Sequence, residues 1–175
     1  KRRFDMGERK ITAPAPLCAD HLVADFCCRS HEALDQWLHE RALTSEGMSA
    51  RTYVICGEEE PQRVVGYYTI TTAMEQRVVL PSAKLRKGTP DKVPLLLIAR
   101  LAVDQHWQGM GLGRDLLADA LRRCLAASVI AGARAVIVHA IDEAAVAFYQ
   151  RHGFLRSPLG ELTLILPVET LRAIA

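Results

Sequence analysis

The segment Gln108-Gly109-Met110-Gly111-Leu112-Gly113-Arg114 carries residue types and a spacing suited to binding an anion. Three alternating glycines stand between a run of apolar residues and a helical pattern. Backbone N–H groups can crowd round an anion at such a turn, because glycine accepts conformations that other residues avoid and the start of a helix adds partial positive charge. The segment therefore predicts a site for a phosphorylated ligand.

Two common phosphate-binding loops do not match this segment. A P-loop requires a lysine, and residues 108–114 contain none. The dinucleotide fingerprint requires a glycine three positions after Gly111, where Arg114 stands. Taken alone, the glycines could also serve only a tight strand-to-helix turn, and this alternative stays open at this point.

The elements that would position the glycine turn follow from the hydrophobic pattern. Residues 1–17 contain charges and prolines but no apolar period, which predicts a flexible lead-in before one domain over 18–175. Apolar spacing predicts a helix that begins at the N-cap Ser30 and ends near Gly47. The remaining predicted elements are a hairpin of strands 52–56 and 64–73, a buried strand 93–103, a helix 112–132, a strand 133–140, a short helix from 142 and a last strand 162–166.

In this setting the glycine turn resembles the acyl-CoA pyrophosphate loop, Q/R-x-x-G-x-G/A, of the GNAT N-acetyltransferase superfamily. The stretch from Ala147 to Phe154 resembles that superfamily's other signature, A-x-x-F-Y-x-x-x-G-F. The resemblance implies an α/β (α+β) fold, in which a mixed central sheet with flanking helices is splayed at the acetyl-CoA site. It places the pantetheine arm beside Leu101, Ala102 and Val103 and the pyrophosphate on residues 108–114, and Phe148 is a further predicted cofactor-binding residue.

Tyr149 is the predicted catalytic residue. Acyl transfer to an amine expels a thiolate, and a phenol with an ordinary pKa of about 10 can protonate a leaving group whose thiol pKa is about 8.5. A lone half-buried tyrosine is usually a core residue with a bonded hydroxyl, but the F-Y-x-x-x-G-F match favours the general acid. No general base is predicted, because Asp142 and Glu143 open a helix and His139 lies in a strand.

A narrower resemblance connects the sequence to the GNAT toxins of type II toxin–antitoxin modules. It rests on the following residues: Cys27, Ala33-Leu34, Trp37-Leu38, Ala42, Gly47–Val54, Ala99–Asp104 and Val138-His139-Ala140. The resemblance implies that the acceptor is the α-amine of aminoacyl-tRNA, that acetylation blocks translation, and that the protein forms a homodimer. It also implies an antitoxin with a ribbon-helix-helix domain. The toxin would then contact DNA only indirectly, through the complex with this antitoxin. Cys27-Cys28 departs from this family, where a Cys-Gly-type pair is common.

The charge distribution agrees with a polyanionic acceptor, although the formal net charge is only +2. The linker 77–92 holds five basic residues against Asp91, and each phosphate contact from such a loop adds salt-dependent affinity. An ordinary solvated loop remains the alternative. The candidate tRNA-binding residues are the linker's Arg77, Lys84, Arg86, Lys87 and Lys92, together with Arg51 and Arg100, each of which could equally form a structural ion pair.

Composition limits the remaining possibilities. Five cysteines in no metal-binding spacing are expected to be reduced thiols in a cytoplasmic protein with no metal. The apolar runs are too short for a membrane span. Within enzymes, the alternative acceptor is a polyamine, an antibiotic or a protein amine; outside enzymes, the alternative is a CoA-binding regulatory module without turnover. The pattern leaves open which aminoacyl group is preferred and where the dimer interface lies.

Overall fold

The computed structural model describes residues 10–174. Its strands and helices alternate along the chain as the hydrophobic pattern predicts, with several short additions. The first elements are β1 (Ala15–Pro16), α1 (Glu32–Glu40), α2 (Ala42–Ser45), β2 (Arg51–Gly57), β3 (Glu60–Gln76) and α3 (Ala83–Arg86). They are followed by β4 (Lys92–Val103), α4 (Leu112–Ala131), β5 (Ala135–His139), α5 (Glu143–Arg151), β6 (Leu155–Arg156), β7 (Thr163–Pro167) and α6 (Val168–Ile174).

The seven strands form one mixed sheet in the order β1-β2-β3-β4-β5-β7-β6. Strands β4 and β5 run parallel, with Leu95 opposite Ala135 and Leu97 opposite Ile137, and β4 continues for six residues beyond this paired stretch. Strands β5 and β7 are antiparallel, as are β7 and β6. The predicted mixed α/β architecture is therefore confirmed. Because β7 pairs on both sides, it is not an exposed sheet edge.

The chain forms two compact units that share strands β3 and β4 and helix α4. The first unit comprises residues 10–67 and 101–116, and its core contains Phe26, Leu38 and Tyr67. The ring of Trp37 stacks on that of Tyr67 with 6.2 Å between the centroids. The second unit comprises residues 68–100 and 117–174, and its core contains Val79, Leu80, Leu95, Ile137 and Ile165.

The lead-in differs from the sequence prediction where the structure describes it. Residues 10–17 are ordered by the backbone of β2: Thr12 N–H donates to the carbonyl of Cys56 at 2.8 Å, and Ala15 pairs with Val54. Leu17 is buried in the core of the first unit. This pairing carries no signal in the sequence, because backbone hydrogen bonds need no apolar period. Residues 1–9 lie outside the described part of the chain.

The first helix also differs in detail from its prediction. Its N-cap position is His31 rather than Ser30, and no side chain caps it. The helical run is interrupted at Arg41, so that α1 and α2 are separate. By contrast, α5 begins as its sequence indicates, since Oδ1 of Asp142 accepts the N–H of Ala145 at 2.8 Å.

Candidate active site

The glycine turn follows β4 and leads directly into α4. Gly109 and Gly111 have φ angles of +78° and +83°, in the left-handed region that L side chains rarely adopt. The two glycines are therefore required by the path of the backbone. Gly113 lies inside the first turn of α4. The guanidinium of Arg114 lies over the turn, with Nη2 3.3 Å from the position that a Cβ on Gly111 would occupy.

The start of α4 offers hydrogen-bond donors that the described chain leaves unused. The first intrahelical bond runs from Asp115 N–H to the carbonyl of Gly111, at 3.2 Å. The N–H groups of Leu112, Gly113 and Arg114 have no acceptor among residues 10–174. Three donors without acceptors at the positive end of a 20-residue helix are suited to binding an anion. A diphosphate suits this donor set.

The side chain of Gln108 fixes the start of the glycine turn through two hydrogen bonds. Its side-chain amide donates to the carbonyl of Val103 and to the carbonyl of Cys28, each at 2.9 Å. Both amide hydrogens thus point to backbone oxygens. The prediction placed Gln108 among the cofactor-binding residues, and the geometry assigns its side chain to fixing the loop. The alternation of β4 buries Ala102 and leaves Leu101 and Val103 partly exposed.

Tyr149 lies in α5 with its ring buried among aromatic side chains. The ring centroids of Phe148 and Phe154 are 5.2 Å and 5.4 Å from it. Burial raises the pKa of Tyr149 to about 12, so the phenol is protonated throughout the physiological range. Its hydroxyl has no hydrogen-bond partner among the described residues. Because no fully buried polar side-chain atom of the described chain lacks a partner, this hydroxyl must reach accessible space.

The two fully buried tyrosines, Tyr67 and Tyr68, differ from Tyr149 in their hydroxyl contacts. The hydroxyl of Tyr67 donates to the carbonyl of Leu34 at 2.7 Å, and that of Tyr68 donates to Asp119. These two are core residues with bonded hydroxyls. Tyr149 combines a buried ring with an available O–H group, which is what a proton donor to a leaving group requires.

The polar residues at the end of β5 and at the two ends of α5 have structural partners. Asp142 caps α5 and Glu143 pairs with Arg156 at 2.8 Å, as expected for residues that open a helix. His139 is exposed, with Nδ1 3.1 Å from the hydroxyl oxygen of Thr163. His152 contacts the carbonyl of Phe148 through Nδ1 at 2.8 Å. None of these contacts identifies a general base.

The candidate tRNA-binding residues fall into two groups, according to whether their side chains contact carboxylates of the described chain. Arg77 pairs with Asp91 at 3.1 Å and donates to the carbonyl of Thr89. Arg51 lies 3.8 Å from a carboxylate oxygen of Glu46, and Arg100 is half-buried. In contrast, no other described residue forms an ion pair with the following four cations: Lys84, Arg86, Lys87 and Lys92. Lys87 lines an open depression of about 630 Å³ with Arg134 and Arg172.

The five cysteines are free thiols. Burial raises the pKa of Cys28 and of Cys56 to about 11, and that of Cys124 to about 12. Such thiols are unreactive apolar residues. Within residues 10–174, no three His, Cys, Asp or Glu side chains are grouped to hold a metal ion. No helix of that part of the chain is both long and apolar enough to cross a bilayer.

Unused N–H donors at the start of a helix suit a phosphorylated ligand, and a buried tyrosine whose hydroxyl has no partner among residues 10–174 suits proton transfer. Both features are typical of enzymes that transfer a group from a phosphorylated carrier. The chain belongs to the acetyltransferase (GNAT) family, whose model matches residues 18–154. The acyl donor is acetyl-CoA.

Among curated proteins, a tRNA-acetylating toxin of Mycobacterium tuberculosis (strain ATCC 25618 / H37Rv) is 39% identical over 143 residues, which are 81% of this chain and 84% of that protein. Solved structures are similar over nearly the whole chain. A tyrosine-to-phenylalanine variant of KacT has a TM-score of 0.88 and 28% identity, covering 95% of this chain and all of that one. AtaT complexed with acetyl-methionyl-tRNAfMet has a TM-score of 0.87 and 29% identity, covering 94% and 99%.

A further solved structure shows a related toxin with an antitoxin segment and acetyl-CoA bound. It is a tyrosine-to-phenylalanine variant of AtaT bound to the C-terminus of the antitoxin AtaR and to acetyl-CoA. Its TM-score is 0.77 with 26% identity, covering 94% of this chain and 97% of that one. The site described above thus lies in a chain that resembles GNAT toxins along almost its entire length.

Proposed function

We propose that this protein acetylates the α-amine of aminoacyl-tRNA with acetyl-CoA and thereby blocks translation. The observation that carries the proposal is the 39% identity to a tRNA-acetylating toxin over 81% of the chain. The likeness to AtaT in complex with acetyl-methionyl-tRNAfMet supports the same acceptor class.

The free N–H groups of Leu112, Gly113 and Arg114 bind the diphosphate of acetyl-CoA. Acetyl-CoA supplies an activated acetyl thioester. The acceptor amine forms the new C–N bond, the C–S bond breaks, and the amine releases its extra proton to water. Tyr149 donates its phenolic proton to the departing sulfur and then recovers a proton from solvent. A free α-amine has a pKa of about 7.7 to 8.0, so much of it is already neutral and needs no enzymic base.

The linker cations Lys84, Arg86, Lys87 and Lys92 bind the backbone phosphates of the acceptor. Their lack of ion pairs within the described chain supports this role, because an unpaired cation is available to an external phosphate. Arg77 and Arg51 are already paired with carboxylates, so their role in binding is secondary.

The protein acts in the cytoplasm as a homodimer. It is neutralised by an antitoxin with a ribbon-helix-helix domain, and DNA binds the antitoxin rather than this chain. The structure of AtaT with the C-terminus of AtaR supports the antitoxin as a partner. A small ribbon-helix-helix protein encoded beside this chain would agree with the proposal.

The proposal is tested by incubating the protein with radiolabelled acetyl-CoA and, in separate reactions, with charged tRNA, deacylated tRNA, polyamines and aminoglycosides. We expect label only on charged tRNA, released by mild base together with the aminoacyl ester. Transfer to a polyamine or an aminoglycoside would replace the proposed acceptor. Binding of acetyl-CoA without transfer to any acceptor would favour a regulatory module.

A further inference from the structure

Asp104 is a buried carboxylate that joins two distant segments beside the glycine turn. It directly follows β4 and is 4% exposed. Its Oδ2 accepts the N–H of Cys27 at 3.1 Å, and its Oδ1 accepts the N–H of His106 at 3.0 Å. A charged acceptor forms stronger hydrogen bonds than a neutral one. One side chain therefore ties the Cys27-Cys28 turn to the segment that leads into the glycine loop.

Further contacts join the same two segments. Gln105 N–H donates to the carbonyl of Cys27 at 2.8 Å, and the Gln108 amide donates to the carbonyl of Cys28 at 2.9 Å. Trp107 packs on Gly57, where an added Cβ would lie 3.0 Å from the indole ring. Residues 104–108 are thus held at several points along their length.

The Cys27-Cys28 segment is itself held in place by contacts with α1 and the core. The N–H of Cys28 donates to Oδ1 of Asp35 in α1 at 2.8 Å, and the Cys28 side chain is buried in the core. The next residue, Arg29, has a φ of +69°, the one described non-glycine residue with a positive φ. Such a conformation persists only where surrounding contacts enforce it.

The anchored segment determines where the glycine loop begins, and α4 determines where it ends. Between them, Gly109 and Gly111 have more backbone freedom than any other residue type. A loose loop would lose conformational entropy when it closes round an anion, and this loss would weaken binding. Because residues 104–108 are already held in place, less entropy is lost on binding.

We propose that Asp104 is a positioning residue, which acts through Cys27 to keep the glycine loop in its diphosphate-binding shape and so sets the affinity for the acyl donor. The proposal rests on the assignment of acetyl-CoA as that donor. The imidazole of His106 lies beside Oδ1 of Asp104, but it is 68% exposed and so adds little to holding the Asp104 carboxylate in place.

The test compares ligands with and without the diphosphate. Calorimetry measures the dissociation constant of CoA, and competition with CoA gives that of pantetheine, which lacks the diphosphate. The first variant is Asp104→Asn, whose amide can satisfy only one of the two N–H groups. The second is Asp104→Ser, which retains a cap for residues 105–107 but is too short to reach Cys27.

We expect both variants to weaken CoA binding about tenfold or more while pantetheine binding changes less than twofold, since only the diphosphate depends on the loop. Asp119→Asn is the matched control: it alters another buried carboxylate, lowers the melting temperature and leaves the ratio of the two constants unchanged. If Asp104→Asn does not fold, Asp104→Ser alone gives the result.

An equal loss for both ligands would show that Asp104 merely supports folding, and unchanged CoA affinity in the folded variants would overturn the proposal as well. Both measurements use no acceptor. They are therefore independent of whether aminoacyl-tRNA is the substrate, and absence of CoA binding by the unsubstituted protein would instead refute the assignment of the donor.

Discussion

The hydroxyl of Tyr68 donates a hydrogen bond to Asp119, a buried carboxylate that also accepts hydrogen bonds from Arg122 at 2.8 Å and Arg123 at 2.9 Å. Burial is the main cause that raises the pKa of Tyr68 far above its usual range, with the Asp119 hydrogen bond adding to it. The hydroxyl of Tyr68 therefore has a structural role. Tyr149 is also buried, but its hydroxyl has no such partner among the described residues, and Tyr149 is the phenol available for chemistry.

Tyr149→Phe and Tyr68→Phe should therefore have opposite effects. Tyr149→Phe removes the proton donor to sulfur and should lower kcat about a hundredfold or more, with the melting temperature and CoA affinity unchanged. Tyr68→Phe removes a hydrogen bond to a buried charge and should lower the free energy of unfolding by about 1.5 to 3 kcal/mol, with kcat retained in the folded fraction. Steady-state kinetics and chemical denaturation of both variants separate the two roles, and an unchanged kcat in Tyr149→Phe would remove Tyr149 from the mechanism.

The pH profile should follow the acceptor amine rather than Tyr149. Burial raises the pKa of Tyr149 to about 12, so the catalytic proton stays in place well above neutrality. We expect kcat/KM to rise through the amine pKa of about 7.7 to 8.0 and then to remain level to about pH 10. A substrate with a 3′-amide link in place of the labile ester allows the measurement, and a falling limb centred near pH 9 would contradict the assignment.

The raised pKa of Tyr149 should also make the stability of the protein depend on pH. The folded pKa of Tyr149 lies above the unfolded value of about 10, so the folded state holds its proton more tightly. The stabilisation is complete below pH 10 and is lost as the pH rises from about 10 to about 12. The loss of stability over that range should be smaller in Tyr149→Phe than in the unsubstituted protein, as measured by urea denaturation at each pH. Equal losses would indicate that Tyr149 does not titrate differently in the two states.

The sequence predicted the sheet, the long helices and the glycine turn because each has a side-chain pattern. The F-Y-x-x-x-G-F motif identified Tyr149, but no local pattern showed that the hydroxyl of Tyr68 is bonded, since its partner Asp119 is 51 residues away. Asp104 was likewise missed: its partner Cys27 is 77 residues away, and the only local signal is an acidic residue at the end of a buried strand. Strand β1 was missed because its pairing involves backbone groups alone.

The linker cations that form no ion pair with a described residue should contribute to acceptor binding and not to donor binding. Lys84→Glu should raise KM for aminoacyl-tRNA several-fold and reduce the slope of log affinity against log salt by about 0.7 to 0.9 per lost phosphate contact. Arg63→Glu is the matched control, because it makes the same change in net charge at a partly exposed residue outside the linker, which pairs with Glu60 at 3.3 Å. KM for acetyl-CoA should be unaffected in both. Equal effects of the two substitutions on tRNA would indicate only long-range attraction.

Gly111→Ala should damage the donor site through the backbone. Gly111 has a φ of +83°, and a Cβ there would lie 3.3 Å from Nη2 of Arg114. An L residue in this conformation costs about 1 to 2 kcal/mol, which the loop can relieve by changing shape and losing its alignment with the first turn of α4. We expect Kd for CoA to rise at least tenfold. Gly88→Ala provides the control, because it has a φ of +73° with no atom within 4 Å of its added Cβ and lies in the linker. It should cost similar stability without weakening CoA, and equal CoA affinity in the two variants would show that the positive φ at Gly111 serves the turn and not the ligand.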